Sequence, residues 1–408
     1  MMARKPQRVP PSAGHNCLDI RSGWIRSICV AVLQILQCTN LGGMEQVAYR
    51  LMEELSGSND TEFLVMTPRP FGPGEQRLRA MDSQVSDSKH RGRFGWRDAR
   101  SFKSEVADRA QMCSHIWVTG TSVAALRAVR DLPQPKVLSH HYHHFEQRFS
   151  KARWRAFYEG FGRNVDVITY PTRFTLDEAV RIAPWVANRA VVVPNGSNCT
   201  WKDEADRTAL QRAARRRLGI PEEAFIVGNA GWLTERKRFD VFLTTAKQIL
   251  NRIPEALFVV CGGGPLEAQL RAQARSLGIE ASVTFTGWVE SLSDYYQSWD
   301  VMLFNSDFDT LPCGPLEASA HGCVVVASLR YGGLSEFIHH DVNGFLLNDH
   351  DVNRLAEIVC GLAVDKGLAE RCRSASRDLF EGEFSVAAGA AFYREFFATS
   401  DQGASGRV

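Results

Sequence analysis

The sequence predicts an α/β protein built of two doubly wound domains facing one another across a central cleft. Three observations lead there. Short apolar runs rich in β-branched residues alternate with stretches of helical spacing, as parallel strands do when helices cover both faces of their sheet. The alternation stops at the turn Pro194-Asn195-Gly196 and then begins afresh. Several runs end in glycine-rich loops, at the strand ends where open α/β sheets bind ligands.

In the first half, residues 27–36 (SICVAVLQIL) read as a strand buried on both faces. The loop 37–43 ends in Gly42-Gly43, and Val47, Leu51, Met52 and Leu55 then give residues 44–55 one apolar helical face. Residues 63–66 are a second strand. The stretch 68–103, dense in Gly, Pro, Arg and Lys, is expected to be an irregular surface excursion. Strands at 115–119, 136–139, 166–170 and 190–193 complete this half, with a helix through Ala124 and Leu126.

The second half repeats the rhythm. Residues 224–230 form a strand, and 238–250 a helix with Phe239, Phe242, Leu243, Ala246 and Ile249 on one face. The strand 257–260 runs into Gly262-Gly263-Gly264-Pro265 and a helix over 266–277. Runs at 283–285, 301–304 and 324–326 bring this sheet to at least five strands. The expected division is a disordered basic tail at 1–24, a first domain at 25–195 and a second at 196–383. A helix at 384–397, within the terminal segment 384–408, is apolar enough to cross back onto the first domain.

At 408 residues the chain suits two domains of about 150–200 residues. Hydrophobic residues at 44% and charged residues at 23% exclude wholesale disorder. The longest apolar run near the start spans nine residues and contains Gln34, against the roughly 20 needed to cross a bilayer. No apolar segment with a small-residue cleavage site precedes it, so a cytoplasmic protein is expected. The ten cysteines include no Cys-x2-Cys pair, which argues for reduced thiols and against a disulfide framework or zinc site. Residues 1–195 hold 27 Lys+Arg against 18 Asp+Glu, leaving 21 against 28 in the remainder. Such asymmetry is either uneven solvated charge or a sign that the halves meet different partners.

Chemistry is concentrated in the loops. Gly42-Gly43 at a helix start would let backbone N–H groups approach an anion, although glycines also simply make tight turns. Gly262-Gly263-Gly264 has the same two readings. Arg236, Lys237 and Arg238 sit at a helix start, where cations oppose the helix dipole, so a solvated surface is the weaker explanation. Asp309 and Glu317 lie eight positions apart, in a loop that runs into a helix start. Carboxylates of this kind hold neighbouring hydroxyls on sugar and ribose rings. Asp307-Phe308-Asp309 also spells a metal-binding Asp-x-Asp, a reading set aside because a lysine and helix N-termini supply positive charge nearby. The run His140-His141-Tyr142-His143-His144 is too dense for a zinc pattern. Across 89–109, Arg91, Arg93, Arg97, Arg100 and Lys103 interleave with Phe94, Trp96 and Phe102. A solvated loop competes there with peripheral contact to an anionic membrane or a lipid-linked acceptor, and nucleic acid is not expected.

Two segments carry a family resemblance: Asp309-x7-Glu317 with Pro312, Gly322 and Gly332-Gly333, and Gly231-Trp-Leu-Thr-Glu-Arg-Lys-Arg-Phe-Asp240. Together they resemble the retaining family-4 glycosyltransferases (glycosyl transferases group 1), over about residues 27–395. The resemblance implies the GT-B fold, two Rossmann-like domains with the acceptor on the first and the nucleotide sugar mainly on the second. The donor would be a UDP- or GDP-linked substrate, with no cofactor and no metal. Lys237 would meet its diphosphate, and Arg236 or Arg238 would stand in for the family arginine where this chain has Trp232. Gly263 and Gly264 would line the nucleotide side. Glu317 would hold the ribose. Asp309, where the family has Glu, would hold the transferred sugar, aided by backbone N–H groups of Thr310 and Leu311. His141, or His140 if the register shifts by one, would face the donor sugar and acceptor. The family analogy makes the carboxylates a clamp, not the acid and nucleophile of a retaining glycosidase.

The implied activity is transfer of sugar to a hydroxyl of a glycan or lipid-linked intermediate of surface polysaccharide synthesis. It would take place in the cytoplasm or at the inner membrane face. Two other readings stand beside it: a nucleotide-sugar epimerase-like GT-B enzyme, and a non-catalytic nucleotide-sugar-binding homologue, the latter because Trp232 and Asp309 depart from the family pattern.

Overall fold

The computed structural model describes residues 30–40, 42–56, 61–69, 72–81, 84–85, 96–142 and 150–398. The expected tail at 1–24 and the residues His143, His144, Arg91, Arg93 and Phe94 lie outside them.

The first domain opens with β1 (Val30–Leu36), α1 (Gly43–Ser56), β2 (Thr61–Met66), α2 (Glu75–Ala80) and β3 (Gln84–Val85). It continues with α3 (Trp96–Ala110), β4 (His115–Thr119), α4 (Val123–Ala128), β5 (Lys136–Ser139) and α5 (Ser150–Gly160). β6 (Val167–Tyr170), α6 (Arg173–Ile182) and β7 (Ala190–Val192) complete it. These strands form one parallel sheet in the order β3-β2-β1-β4-β5-β6-β7. Its centre is dry because β1 and β4 carry apolar side chains on both faces: Val32, Leu33, Ile35, Ile116, Trp117 and Val118 are all buried.

The second domain contains α7 (Glu204–Leu218), β8 (Ile226–Ala230), α8 (Phe239–Leu250), β9 (Leu257–Cys261), α9 (Glu267–Ser276) and β10 (Val283–Gly287). α10 (Ser293–Ser298), β11 (Val301–Asp309), α11 (Cys313–Ala320), β12 (Val324–Gly332) and β13 (Gly344–Leu347) follow. The chain then runs through α12 (Val352–Val364), α13 (Lys366–Glu381) and α14 (Val386–Ala398). The sheet order is β10-β9-β8-β11-β12-β13, again parallel throughout.

α14 packs on the first sheet. Its Val386, Ala390, Tyr393 and Phe397 share a core with Val32, Leu36, Val47, Leu51 and Trp117. Tyr393 stacks on Trp117 at 4.4 Å, and its hydroxyl meets Ser139 Oγ at 2.6 Å. Burying each such aromatic contributes about 1.5–3 kcal/mol, enough to hold the helix against the sheet.

The structure departs from the sequence reading in three places. The stretch 68–103 is not simply irregular, since it includes α2, β3 and the start of α3. Phe102, Val106 and Ala110 recur every four residues on α3 and point into the core, so Phe102 is not available to a membrane surface. β13 is the sixth strand of the second sheet, in keeping with the expected minimum of five. Asp309 is the last residue of β11, not part of a loop, and Glu317 lies in the second turn of α11, beyond the helix start. The eight cysteines among the described residues are all free, and Cys113, Cys261, Cys323, Cys360 and Cys372 are buried. No helix among the described residues is long and apolar enough to cross a membrane.

Candidate functional site

β11 extends past its neighbour β8, carrying Asp309 to the carboxyl edge of the second sheet. The loop after β8 comes to meet it. Lys237 Nζ lies 2.6 Å from Asp309 Oδ2, and Arg236 Nη1 lies 2.9 Å from the same oxygen. Arg236 also donates to the Phe308 carbonyl at 3.0 Å, and Lys237 Nζ sits 4.8 Å from the Phe304 ring centroid. Asp309 is only 13% exposed. One carboxylate thus gathers two cations, and the cluster keeps a surplus positive charge, which suits an anionic ligand.

Arg238 goes elsewhere. It adopts φ 43° and pairs with Asp240 at 2.9 Å and with Asp307 at 3.2 Å. Asp307 also meets His350 Nε2 at 3.1 Å and Arg330 at 3.5 Å. The two carboxylates of the Asp-x-Asp are therefore each engaged by their own cations. Of the two arginines that could replace the family cation, it is Arg236 that reaches Asp309.

Glu317 faces the first domain. Its Oε1 accepts from the Arg50 guanidinium of α1, and its Oε2 accepts from Tyr296 Oη at 3.2 Å. Arg50 also donates to the Gly196 carbonyl at 3.3 Å, where the chain passes between domains. Alongside, Cys313 Sγ donates to the Gly43 carbonyl at 3.5 Å. A Cβ on Gly43 would come within 3.1 Å of that sulfur, so a residue without a side chain lets α1 approach α11 closely. Burial pushes the Cys313 thiol up to about 12, with Glu317 adding to the shift, so it remains a donor. Gly42 is held at the same turn, where a Cβ would meet Glu45 Oε2 at 2.7 Å.

His141 follows β5. Its carbonyl accepts from Thr310 Oγ1 at 3.3 Å, its Nδ1 is enclosed, and the Asn195 side chain lies beside it. Burial lowers its pKa to about 4, only partly offset by Asn195, so the ring is neutral near pH 7. His140 is a core residue instead, among Trp154, Phe157, Tyr158 and Tyr170. Of the two histidine registers, His141 is the one at the domain junction.

The backbone beside Asp309 is tied down locally. Thr310 N–H donates to Asp309's own Oδ1 at 3.1 Å, and the Leu311 carbonyl accepts from Asn195 Nδ2 at 2.8 Å. Gly263 and Gly264 pack on the loop after β8: the Gly263 carbonyl accepts from Leu233 N–H at 3.0 Å, and Gly264 abuts the Leu233 backbone. The glycines thereby brace the loop that carries Arg236 and Lys237.

Two family models match, one in each domain: Glycosyltransferase Family 4 over residues 41–201 and Glycosyl transferases group 1 over residues 211–379. The chain belongs to the GT-B glycosyltransferases of family 4. A Mycobacterium tuberculosis GDP-mannose-dependent α-(1-6)-phosphatidylinositol monomannoside mannosyltransferase is 29% identical over 227 residues, 53% of this chain and 57% of the relative. A Salinispora arenicola D-inositol 3-phosphate glycosyltransferase is 35% identical over 176 residues, 40% of this chain and 39% of the relative. The chain thus spans about half the length of the curated relatives it matches. Among solved structures, Anabaena HepE in complex with UDP and glucose superposes with a TM-score of 0.76 at 19% identity, covering 90% of this chain and 99% of that one. Sucrose-phosphate synthase from Thermosynechococcus elongatus gives 0.68 at 18% identity, over 91% and 100%. At such identities the likeness establishes the GT-B fold alone.

This family-4 chain also contains junction residues that motif reading passes over. Arg50, Tyr296 and Asn195 are among them, and so is Glu336. Its carboxylate accepts from the backbone N–H groups of Arg173 and Phe174, both at 2.7 Å, capping α6 of the other domain. Arg50 and Glu336 look like ordinary charges on polar helix faces and carry no sequence signal. Asn195 sits in the Pro194-Asn195-Gly196 turn, where a turn role explains it fully.

Proposed function

We propose that the protein transfers a sugar from a nucleotide-sugar donor to a hydroxyl acceptor, with retention of anomeric configuration and without a metal ion. The observation that carries this reading is the Asp309–Lys237–Arg236 cluster, one carboxylate bound by two cations, set beside Glu317 at the junction of two doubly wound domains. The donor diphosphate would lie against Lys237 and Arg236, which stabilise the charge that develops as it departs. Glu317 would take the ribose hydroxyls once Arg50 yields, and Asp309 would take hydroxyls of the transferred sugar. Neutral His141 would hydrogen-bond the sugar or the attacking hydroxyl without serving as a nucleophile. The acceptor would approach from the first domain, on the face the diphosphate leaves, and the closed cleft would exclude water.

A UDP- or GDP-linked donor fits the comparisons, since one relative is GDP-mannose-dependent and one structural neighbour of this chain holds UDP and glucose. A glycan or lipid-linked acceptor of surface polysaccharide synthesis, met at the inner face of the membrane, extends the same comparison. The test is a panel of UDP-, GDP- and ADP-sugars read first by thermal shift and then by transfer to candidate acceptors. The reading expects one nucleotide to raise the melting temperature and support transfer in EDTA, with Lys237→Ala and Glu317→Ala folded but slower by about a hundredfold or more. Donor isomerisation without acceptor, or full activity in both variants, would overturn it.

A further inference from the structure

Two indoles on the second domain stand in the open. Trp232 and Trp288 are 63% and 62% exposed, and they are the largest exposed apolar side chains among the described residues. Adjacent exposed aromatics at the carboxyl edge of an α/β sheet mark a place where something flat is covered in use. Trp232 follows β8 and Trp288 follows β10, so the pair straddles the end of β9, the strand between them. Their ring centroids are 6.2 Å apart with planes at 73°, which makes a corner over the glycine loop. Gly263 is part of that corner, because a Cβ there would come within 2.8 Å of Trp288 Nε1.

The surroundings say what the corner would take. Trp232 is on the same loop as Arg236 and Lys237, and that loop is pinned by Gly231 N–H to the Cys261 carbonyl and Leu233 N–H to the Gly263 carbonyl, each at 3.0 Å. Trp288 precedes α10, whose Tyr296 donates to Glu317 at 3.2 Å. The two indoles are therefore tied through short segments to the cationic cluster on one side and to the proposed ribose carboxylate on the other. A ligand with a flat ring at one end, a diol next to it and a diphosphate beyond is a nucleoside diphosphate.

We propose that Trp232 and Trp288 form the stacking corner for the donor's nucleobase, one indole under the ring and the other against its edge. This rests on the nucleotide-sugar reading above. It also accounts for Trp232 at the family arginine position: Arg236 supplies the second cation at Asp309, and the freed position serves the base. Stacking tolerates any base because every base has a π face, so the corner supplies affinity and leaves base identity to other contacts.

The experiment titrates UDP, GDP and ADP, with pyrophosphate as the baseless control, against intrinsic tryptophan fluorescence. Wild type, Trp232→Ala, Trp288→Ala and Trp288→Phe are compared; both side chains are exposed, so the variants are expected to fold. The proposal expects a nucleoside diphosphate to quench the wild type and pyrophosphate not to. Each alanine variant should bind the nucleotide roughly tenfold more weakly with unchanged pyrophosphate affinity, and Trp288→Phe should retain most of it. Wild-type nucleotide affinity in both alanine variants would overturn the corner and leave the donor reading standing. Binding of none of the three nucleotides to wild type would overturn both. Quenching by an oligosaccharide and by no nucleotide would reassign the indoles to an acceptor.

Discussion

Arg50 of α1 and Glu317 of α11 form an ion pair directly across the junction of the two domains, with side chains 22% and 13% exposed. The carboxylate proposed for the ribose is held by a guanidinium from the opposite domain. A donor would have to displace Arg50 to reach Glu317.

Arg50→Ala should therefore have two opposed effects. Loss of a charge-assisted contact at a partly buried site should lower stability by about 1–3 kcal/mol. Saturating nucleoside diphosphate should then raise the melting temperature more in the variant than in wild type, because Glu317 no longer has to give up a partner. Thermal unfolding with and without nucleotide checks both. A smaller ligand-induced rise would mean that Arg50 itself touches the donor.

Asp309 and Lys237 should separate kinetically. Lys237→Ala removes a cation that matters most as the diphosphate leaves, so kcat should fall by about 10²–10³ with a smaller change in donor KM. Asp309→Glu keeps the charge and adds one methylene, so it should shift the preference among donor sugars while Lys237 and Arg236 stay paired. Steady-state constants for both variants across two donors with the same nucleotide would decide. An unchanged sugar preference in Asp309→Glu would remove Asp309 from the sugar site.

The difference between what local pattern reveals and what only tertiary proximity reveals runs through this site. Asp309, Glu317 and Lys237, the residues proposed to hold the donor, stand out in the sequence because local pattern marks them: two carboxylates eight positions apart, and a lysine in the basic run before α8. The strands were legible because burial on both faces of a parallel sheet leaves apolar runs such as 30–33 in β1 and 301–304 in β11. Arg50 and Glu336 were not, since a charge on a helix or turn looks alike whether it faces water or another domain. α3 was hidden for a related reason: Phe102, Val106 and Ala110 keep helical spacing, but the charges between them read as a loop.

pH should act on stability through His141. Its folded pKa is lowered from 6.5 to about 4 by burial, so between those values the unfolded chain binds a proton that the folded chain does not. The stabilisation from keeping the ring neutral is fully present above pH 6.5 and is lost as pH falls towards 4, at most on the order of 3 kcal/mol. Burial also lowers the pKa of His321 and His350, so both act with the same sign. Melting temperatures between pH 7.5 and 4.5 should fall for wild type and fall less steeply for His141→Asn. An identical slope in the two proteins would mean that His141 titrates as an open side chain.

Glu336 gives the last expectation. Its two oxygens cap the first two amides of α6, while the Thr172 side chain accepts from Thr175 N–H at 3.1 Å, so the helix start is closed jointly by both domains. Glu336→Gln keeps the shape and removes the charge that favours the helix N-terminus, and Glu336→Ala removes the cap altogether. Stability should drop by a few tenths of a kcal/mol for Gln and by about 1–2 kcal/mol for Ala. Because α6 belongs to the first domain and Glu336 to the second, the alanine variant should also free their relative motion on this edge. Hydrogen exchange at the Arg173 and Phe174 amides should accelerate in Glu336→Ala, while the amides of β11 behind Asp309 keep their protection. Equal acceleration at both places would show general unfolding, and no acceleration at either would show that the cap does not hold the domains together in solution.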